Sequence, residues 1–285
     1  MSIEPHDASD PSFTFAFQPI VDVKAHEVFS YEALIRGSAN EPADQILGQV
    51  QAERLLQFDQ EARIAAIELA TRLGIGCHLN VNFIPQNLKS STSILTALEA
   101  ASRCNLPIER LVFEVTEGAG IDDHAQFAAT INRFRGLGLM VAIDDFGSGY
   151  SGLNMLVDFQ PDQIKLDMKL VRGIEHHGPR QAIVRAICQV CVDLGIDVIA
   201  EGVETVKEYV WLANAGIQLF QGFLFAKPAF EAFPPVHYPG RLVKLPVAQP
   251  GPPMPESAPH GPGTEPDPCP DLAFALTRRA LSRRL

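Results

Sequence analysis

Residues 139–152 read LMVAIDDFGSGYSG: an apolar run over 139–143 stops at the paired carboxylates Asp144 and Asp145, and a glycine-rich turn follows over 146–152. A short apolar run bounded by turn residues is consistent with a buried strand. Two adjacent carboxylates at the open end of such a strand repel each other and lose hydration, a cost that bound cations relieve. The arrangement recurs along the chain. Glu32 follows VFSY, Asn82 follows CHLNV, Glu114 lies in LVFEV, Lys165 and Asp167 in QIKLD, and Glu201 follows DVIA. Polar side chains at the tips of so many apolar strands point to a metal-assisted site assembled from strand ends.

Upstream, FTFAFQPIVDV (13–23) and VFSYEALIR (28–36) are β-rich and are separated only by KAHE. A parallel crossover needs a dozen or more residues, so these two strands are expected to be antiparallel neighbours. Strand and helix then alternate. Helical spacing appears over 43–57, 59–73, 92–103, 123–136, 151–158, 180–194 and 205–214, and strands over 77–83, 111–117, 139–144, 163–168, 197–203 and 219–225. The pattern predicts an α/β fold, a TIM-like (β/α)8 barrel with an antiparallel first strand, whose chemistry lies at the C-terminal strand ends.

The chain has 285 residues, 46% of them hydrophobic, and a formal net charge of −11. That charge disfavours a bulk nucleic-acid binder, which carries a basic footprint; a small phosphate ligand held through divalent cations remains compatible with it. No apolar stretch is long enough for a transmembrane segment and the N-terminus lacks a leader pattern, so a cytoplasmic location is expected. Five scattered cysteines fit reduced thiols, and the C-x-x-C of Cys188 and Cys191 falls on one face of a helix, as a core pair would. Residues 1–12 are expected to be a disordered N-terminus and 13–240 the barrel. The Pro/Gly-rich 241–285 reads as a disordered tail dispensable for catalysis; its last stretch, DLAFALTRRALSRRL, is apolar and basic at near-helical spacing, where a frayed solvated end is favoured over a short basic docking helix, and the tail is a candidate site for a regulatory partner.

YEALIRG (31–37), NVNF (80–83), FEVTE (113–117), IDDFGSGYSGL (143–153), QIKLD (163–167), AEGVET (200–205) and QGFLFAKP (221–228) occur in this order. Together they resemble the EAL-domain family of cyclic di-GMP phosphodiesterases over roughly residues 14–232. The resemblance implies hydrolysis of cyclic di-GMP to linear pGpG with two Mg2+ or Mn2+ ions per site, and inhibition by Ca2+. Glu32, Asn82, Glu114 and Asp144 resemble the ligands of one cation, and Asp144 with Asp145 those of a second, beside Glu201. Glu201 resembles the general base and Lys165 the group that orients water. Asp167 shares Lys165's strand face and is expected to help position it, while Glu117 resembles the anchor of the loop 146–152. Gln18, Leu34, Arg36 and Gln221 match positions of substrate contact, whereas Asn80 reads as an inward polar filler. A homodimer through the Gly-rich loop region is implied by the family alone.

The sequence departs from the family's usual form at Gly37 and Ser38, where W-R follows the motif, and over 39–57. This local form resembles EAL domains attached to blue-light sensors, yet only twelve residues precede the first strand and a stand-alone domain is expected. The competing reading is a catalytically silent cyclic di-GMP receptor or protein-interaction module. A metal-dependent barrel lyase would also accept strand-end acids, but QGFLFAKP does not resemble a phosphate-gripping loop.

Overall fold

The structure, a computed structural model, describes residues 11–84, 91–117, 124–149 and 152–240. Residues 1–10 and the tail 241–285, with its alternative of a short basic helix, lie outside the described residues.

Strands β1 (Phe13–Asp22) and β2 (Glu27–Gly37) form the antiparallel hairpin that the short link requires, with Gln18 opposite Glu32. Next come α1 (Ala43–Leu47), α2 (Leu55–Arg72), β3 (His78–Asn82), α3 (Ser91–Arg103), β4 (Leu111–Thr116), α4 (His124–Arg135), β5 (Met140–Phe146) and α5 (Gly152–Phe159). After these the chain runs through β6 (Gln163–Leu166), α6 (Met168–Val171), α7 (Gly178–Leu194), β7 (Asp197–Ala200), α8 (Val206–Asn214), β8 (Leu219–Phe220) and β9 (Ala229–Phe230). Strands β2 to β8 pair in parallel in sequence order, and β1 closes the ring, antiparallel to both β8 and β2. The expected barrel is therefore present.

Side chains alternate across each strand. Phe15, Phe17, Phe113, Val141 and Ile164 go to the buried outer layer against the helices, while Gln18, Glu32, Glu114 and Lys165 point inward at the upper end. Ile20, Ile199 and Leu219 form an apolar cluster within the barrel. The hairpin connection leaves β1 and β2 without a crossover helix, and the chain after β9 covers part of their outer face. There Phe233 packs on Phe17 and Tyr31, with ring centroids 5.1 and 4.3 Å apart, and Tyr238 stacks on His26 at 4.6 Å.

Several elements are shorter than periodicity predicts. The helix expected over 43–57 stops at Leu47, because Gly48 follows and 48–53 is largely exposed with no apolar face to bury. The 163–168 strand ends at Leu166, where Asp167 caps α6 by accepting the Lys169 N–H at 2.7 Å. The 219–225 strand ends at Phe220. Gly222 then packs its backbone on Val203, whose carbonyl oxygen would lie 2.1 Å from an added Cβ. Cys188 and Cys191 are buried on α7 as expected, and burial pushes their thiols up to about 11 and about 12. Among the described residues no helix is long and apolar enough to cross a membrane.

Candidate active site

The upper barrel interior centres on Lys165, which is 1% exposed. Its Nζ lies 3.1 Å from Glu32, 2.9 Å from Glu114, 3.0 Å from Asp144 and 2.8 Å from Glu201. An ammonium has three N–H donors. Glu32, Glu114 and Glu201 take them, and Asp144 Oδ1 is left within ion-pair distance but without a hydrogen bond. Burial opposes the charge on Lys165, yet Asp144, Glu114, Glu201 and Glu32 together outweigh it and raise the lysine well above its ordinary value.

The carboxylates respond in the complementary direction. Burial, with Glu32 and Asp144 nearby, holds Glu114 well above the usual range against the pull of Lys165. Burial likewise pushes Glu201 up to about 8, with Asp144 and Glu32 adding and Lys165 opposing. Asp145 is raised to about 6 by burial, then by Asp144 and Asp167, and it shares a hydrogen bond with Asp167.

Strand alternation alone would send Asp145 to the side opposite Asp144. The register shifts between Ile143 and Phe146, however, and Asp145 adopts a left-handed φ of 55°. A non-glycine residue in that region costs on the order of 1–3 kcal/mol, although Asp tolerates it better than most. The bulge leaves Asp145 on the rim with its neighbour. Glu32, Glu114 and Asp144 each place an oxygen within 4.8 Å of the others, as do Asp144, Asp145 and Glu201, and Asp144 belongs to both groups. Asp144 Oδ1 and Glu114 Oε2 are buried acceptors without hydrogen-bond partners. Orphaned acceptors in an all-oxygen donor set fit a hard divalent cation.

The remaining predicted residues surround this cluster. Gln221 donates to Glu32 at 2.7 Å and to Gln18 at 3.4 Å, and Gln18 donates to the Ala226 carbonyl at 3.2 Å. These two glutamines line a cavity of about 190 Å3 with Glu32, Asp145, Asp167 and Glu201. Leu34, Arg36 and Asn82 instead border a separate cavity of about 310 Å3, walled by α1 and α2. Asn82 is exposed at the end of β3, opposite Glu114 in register. Glu117 accepts the N–H groups of Gly147, Gly149 and Gly152 at 2.7, 3.2 and 2.8 Å, so one buried carboxylate ties the described ends of the glycine-rich turn.

Sequence reasoning missed four contributors. Asn80, read as a filler, donates to Glu114 Oε1 at 2.8 Å and so orients that carboxylate. Met168 and Arg172 line the smaller cavity, as does Phe223; none carries a motif that would single it out.

The EAL domain family model matches residues 5–228. The chain is 35% identical over 227 residues to the blue light- and temperature-regulated antirepressor BluF of Escherichia coli, covering 79% of this chain and 56% of BluF. It is 34% identical to the cyclic di-GMP phosphodiesterase PdeR of the same organism, covering 75% of this chain and 34% of PdeR. The chain thus spans about half or less of the length of these curated relatives. A crystal structure of a standalone EAL protein from Vibrio cholerae with cyclic di-GMP bound superposes with a TM-score of 0.77 at 44% identity, over 80% of this chain and 97% of that one. The calcium and cyclic di-GMP complex of Klebsiella pneumoniae BlrP1 gives 0.76 at 39% identity, over 83% and 60%. On the family match, the identities and the shared barrel, this chain belongs to the EAL domain family.

Proposed function

We propose that the chain hydrolyses cyclic di-GMP to linear pGpG, using two Mg2+ or Mn2+ ions held by Glu32, Asn82, Glu114, Asp144 and Asp145. The observation that carries this reading is the pair of carboxylate groups sharing Asp144, with orphaned acceptors on Asp144 and Glu114. When bound, the cations would supply an activated water and offset charge on the leaving oxygen. The water oxygen bonds to one phosphorus, the bond from that phosphorus to a ribose 3′-oxygen breaks, and the freed 3′-oxygen takes a proton from solvent. Glu201, beside Asp144 and Asp145, would receive the water's proton in its ionised form, whose share grows as pH rises toward about 8. Lys165 would orient the water once bound cations draw one of its three carboxylate partners away and free an N–H, with Asp167 supporting the rim beside Asp145. Gln18 and Gln221 on one side, and Leu34 and Arg36 on the other, contact the nucleotide from the two flanking cavities. Ca2+, with looser coordination, would misplace the water and inhibit.

Glu117 couples the glycine-rich turn to the site, and a homodimer through this region has support from α5, where Leu153 and Val157 are 64% and 80% exposed. The tail 241–285 would act through a regulatory partner, with the protein working in the cytoplasm. A receptor or interaction role has one supporting observation, the antirepressor name of BluF; the full carboxylate set with its lysine favours turnover. Incubation with cyclic di-GMP and Mg2+ or Mn2+ tests the choice. Prompt pGpG, lost with EDTA and in Glu32→Ala, supports the hydrolase, and tight binding without product moves the chain to the receptor class.

A further inference from the structure

Arg63 on α2 is 2% exposed and faces the outer wall of the barrel rather than the carboxylate cluster. It is ion-paired with Asp59, one helical turn earlier. Its guanidinium carbon lies 4.5 Å from the ring centroid of Phe83 and 5.9 Å from that of Phe113. Those two rings are themselves stacked, with centroids 5.1 Å apart and planes at 13°. A planar guanidinium over aromatic faces is a favourable arrangement, stronger when desolvated.

Asn82 precedes Phe83 in the chain, and Glu114 follows Phe113. Successive side chains point to opposite faces of a strand, so fixing the two phenylalanines outward fixes their neighbours toward the rim. The backbone couples the same two positions: Phe83 N–H donates to the Glu114 carbonyl at 2.9 Å, and Asn82 faces Glu114 in register. Arg63 and Asp59 also border the 310 Å3 cavity with Leu34, Arg36 and Asn82. β3 ends at Asn82, and beyond it the Phe83 backbone bond to Glu114 and the aromatic stack beneath hold the tip.

We infer that Arg63 is a positioning residue for cation binding: by clamping Phe83 and Phe113 it holds Asn82 and Glu114 at ligand geometry. The inference rests on reading Asn82 and Glu114 as cation ligands. It is tested with the full chain as Arg63→Met and Arg63→Lys, following Mn2+ binding through the electron paramagnetic resonance signal of free Mn2+, beside thermal melts and pGpG release. Supports of metal ligands typically account for ~10–100-fold in affinity, and Arg63→Met should weaken Mn2+ by that factor. The Mn2+ concentration for half-maximal activity should rise in parallel, with kcat at saturating Mn2+ kept within about threefold, as expected for a lost ligand support. Arg63→Lys keeps the charge but not the flat stacking group, and should show an intermediate loss. Mn2+ affinity within about twofold of wild type in folded Arg63→Met, whatever its melting temperature, would overturn the inference as no metal-ligand support is then lost. If circular dichroism shows Arg63→Met unfolded, Arg63→Lys decides by the same criterion. A wild-type chain that binds no Mn2+ would instead overturn the ligand reading on which the inference rests.

Discussion

Replacing Lys165 with Met removes a single positive charge from among four carboxylates while keeping most of the side chain's volume. In the structure this ammonium makes three hydrogen bonds and has four carboxylates within ion-pair distance. The raised pKa of Lys165 shows that these attractions exceed the cost of burying it. Removing one partner of a buried ion pair costs roughly 3–5 kcal/mol, and for a domain of this size each kcal/mol is worth about 2–4 °C, so the melting temperature should fall by about 6–20 °C. The deficit should shrink at pH 5.5, because Glu201 and Asp145, raised to about 8 and about 6, take up protons there and relieve the repulsion. Mg2+ at pH 8 should recover part of the loss. Differential scanning calorimetry at both pH values, with and without Mg2+, measures all of this. A Lys165→Met melting temperature within about 2 °C of wild type at pH 8 in EDTA would refute the reasoning, because the cost of stranding buried carboxylates without their cation would then be absent.

The metal-free wild type should itself lose stability as pH rises. Carboxyls raised in the folded state hold protons that the unfolded chain releases, so the penalty is absent below their ordinary values and grows above them, the Glu201 share being complete past about 8. By the same sign, Mn2+ affinity should strengthen from pH 6 to 8, the interval set by Asp145 and Glu201; calorimetric titration showing a flat profile would contradict the assignment. Glu117→Ala strips three backbone N–H groups of their acceptor. It should speed amide exchange in 147–149 selectively and lower turnover more than tenfold, and unchanged exchange would count against the tether. Truncation after residue 240 should preserve the melting temperature and turnover, whereas truncation after 228 removes Phe233 and Tyr238 from β1 and β2 and should lower the melting temperature by several degrees. Equal melts for the two would deny that segment a structural part.

The barrel was legible because its evidence is local. The four-residue link KAHE forces a hairpin, and apolar runs ending in acids mark strand tips without any tertiary information. What escaped depends on depth and on backbone detail. Asn80 and Asn82 share a strand face, so alternation cannot say that the first is buried against Glu114 while the second is exposed. Nor can alternation account for Asp145 staying on the rim, since that depends on a bulge and a left-handed backbone. Arg63 looks like an ordinary charged helix residue. Its burial depends on the ring of Phe83, just past β3, and that of Phe113 on β4, 20 and 50 residues further along the chain, which no window around α2 contains.

The reversed direction of β1 gives the barrel an asymmetric pair of doors. Phe13 lies opposite Gly37 at the end where the carboxylates open, whereas the Asp22–Glu27 turn, and Tyr238 stacked on its His26, sit at the other end. Ten strand residues at ~3.3 Å each put these two points about 30 Å apart. A module spliced in front of Phe13 would pull directly on the strand that carries Gln18 and on the edge holding Leu34 and Arg36. Cargo hung after Tyr238 would start a full barrel length from the chemistry. Input applied upstream has a short lever on catalysis, whereas anything attached after Tyr238 needs a partner to span that length.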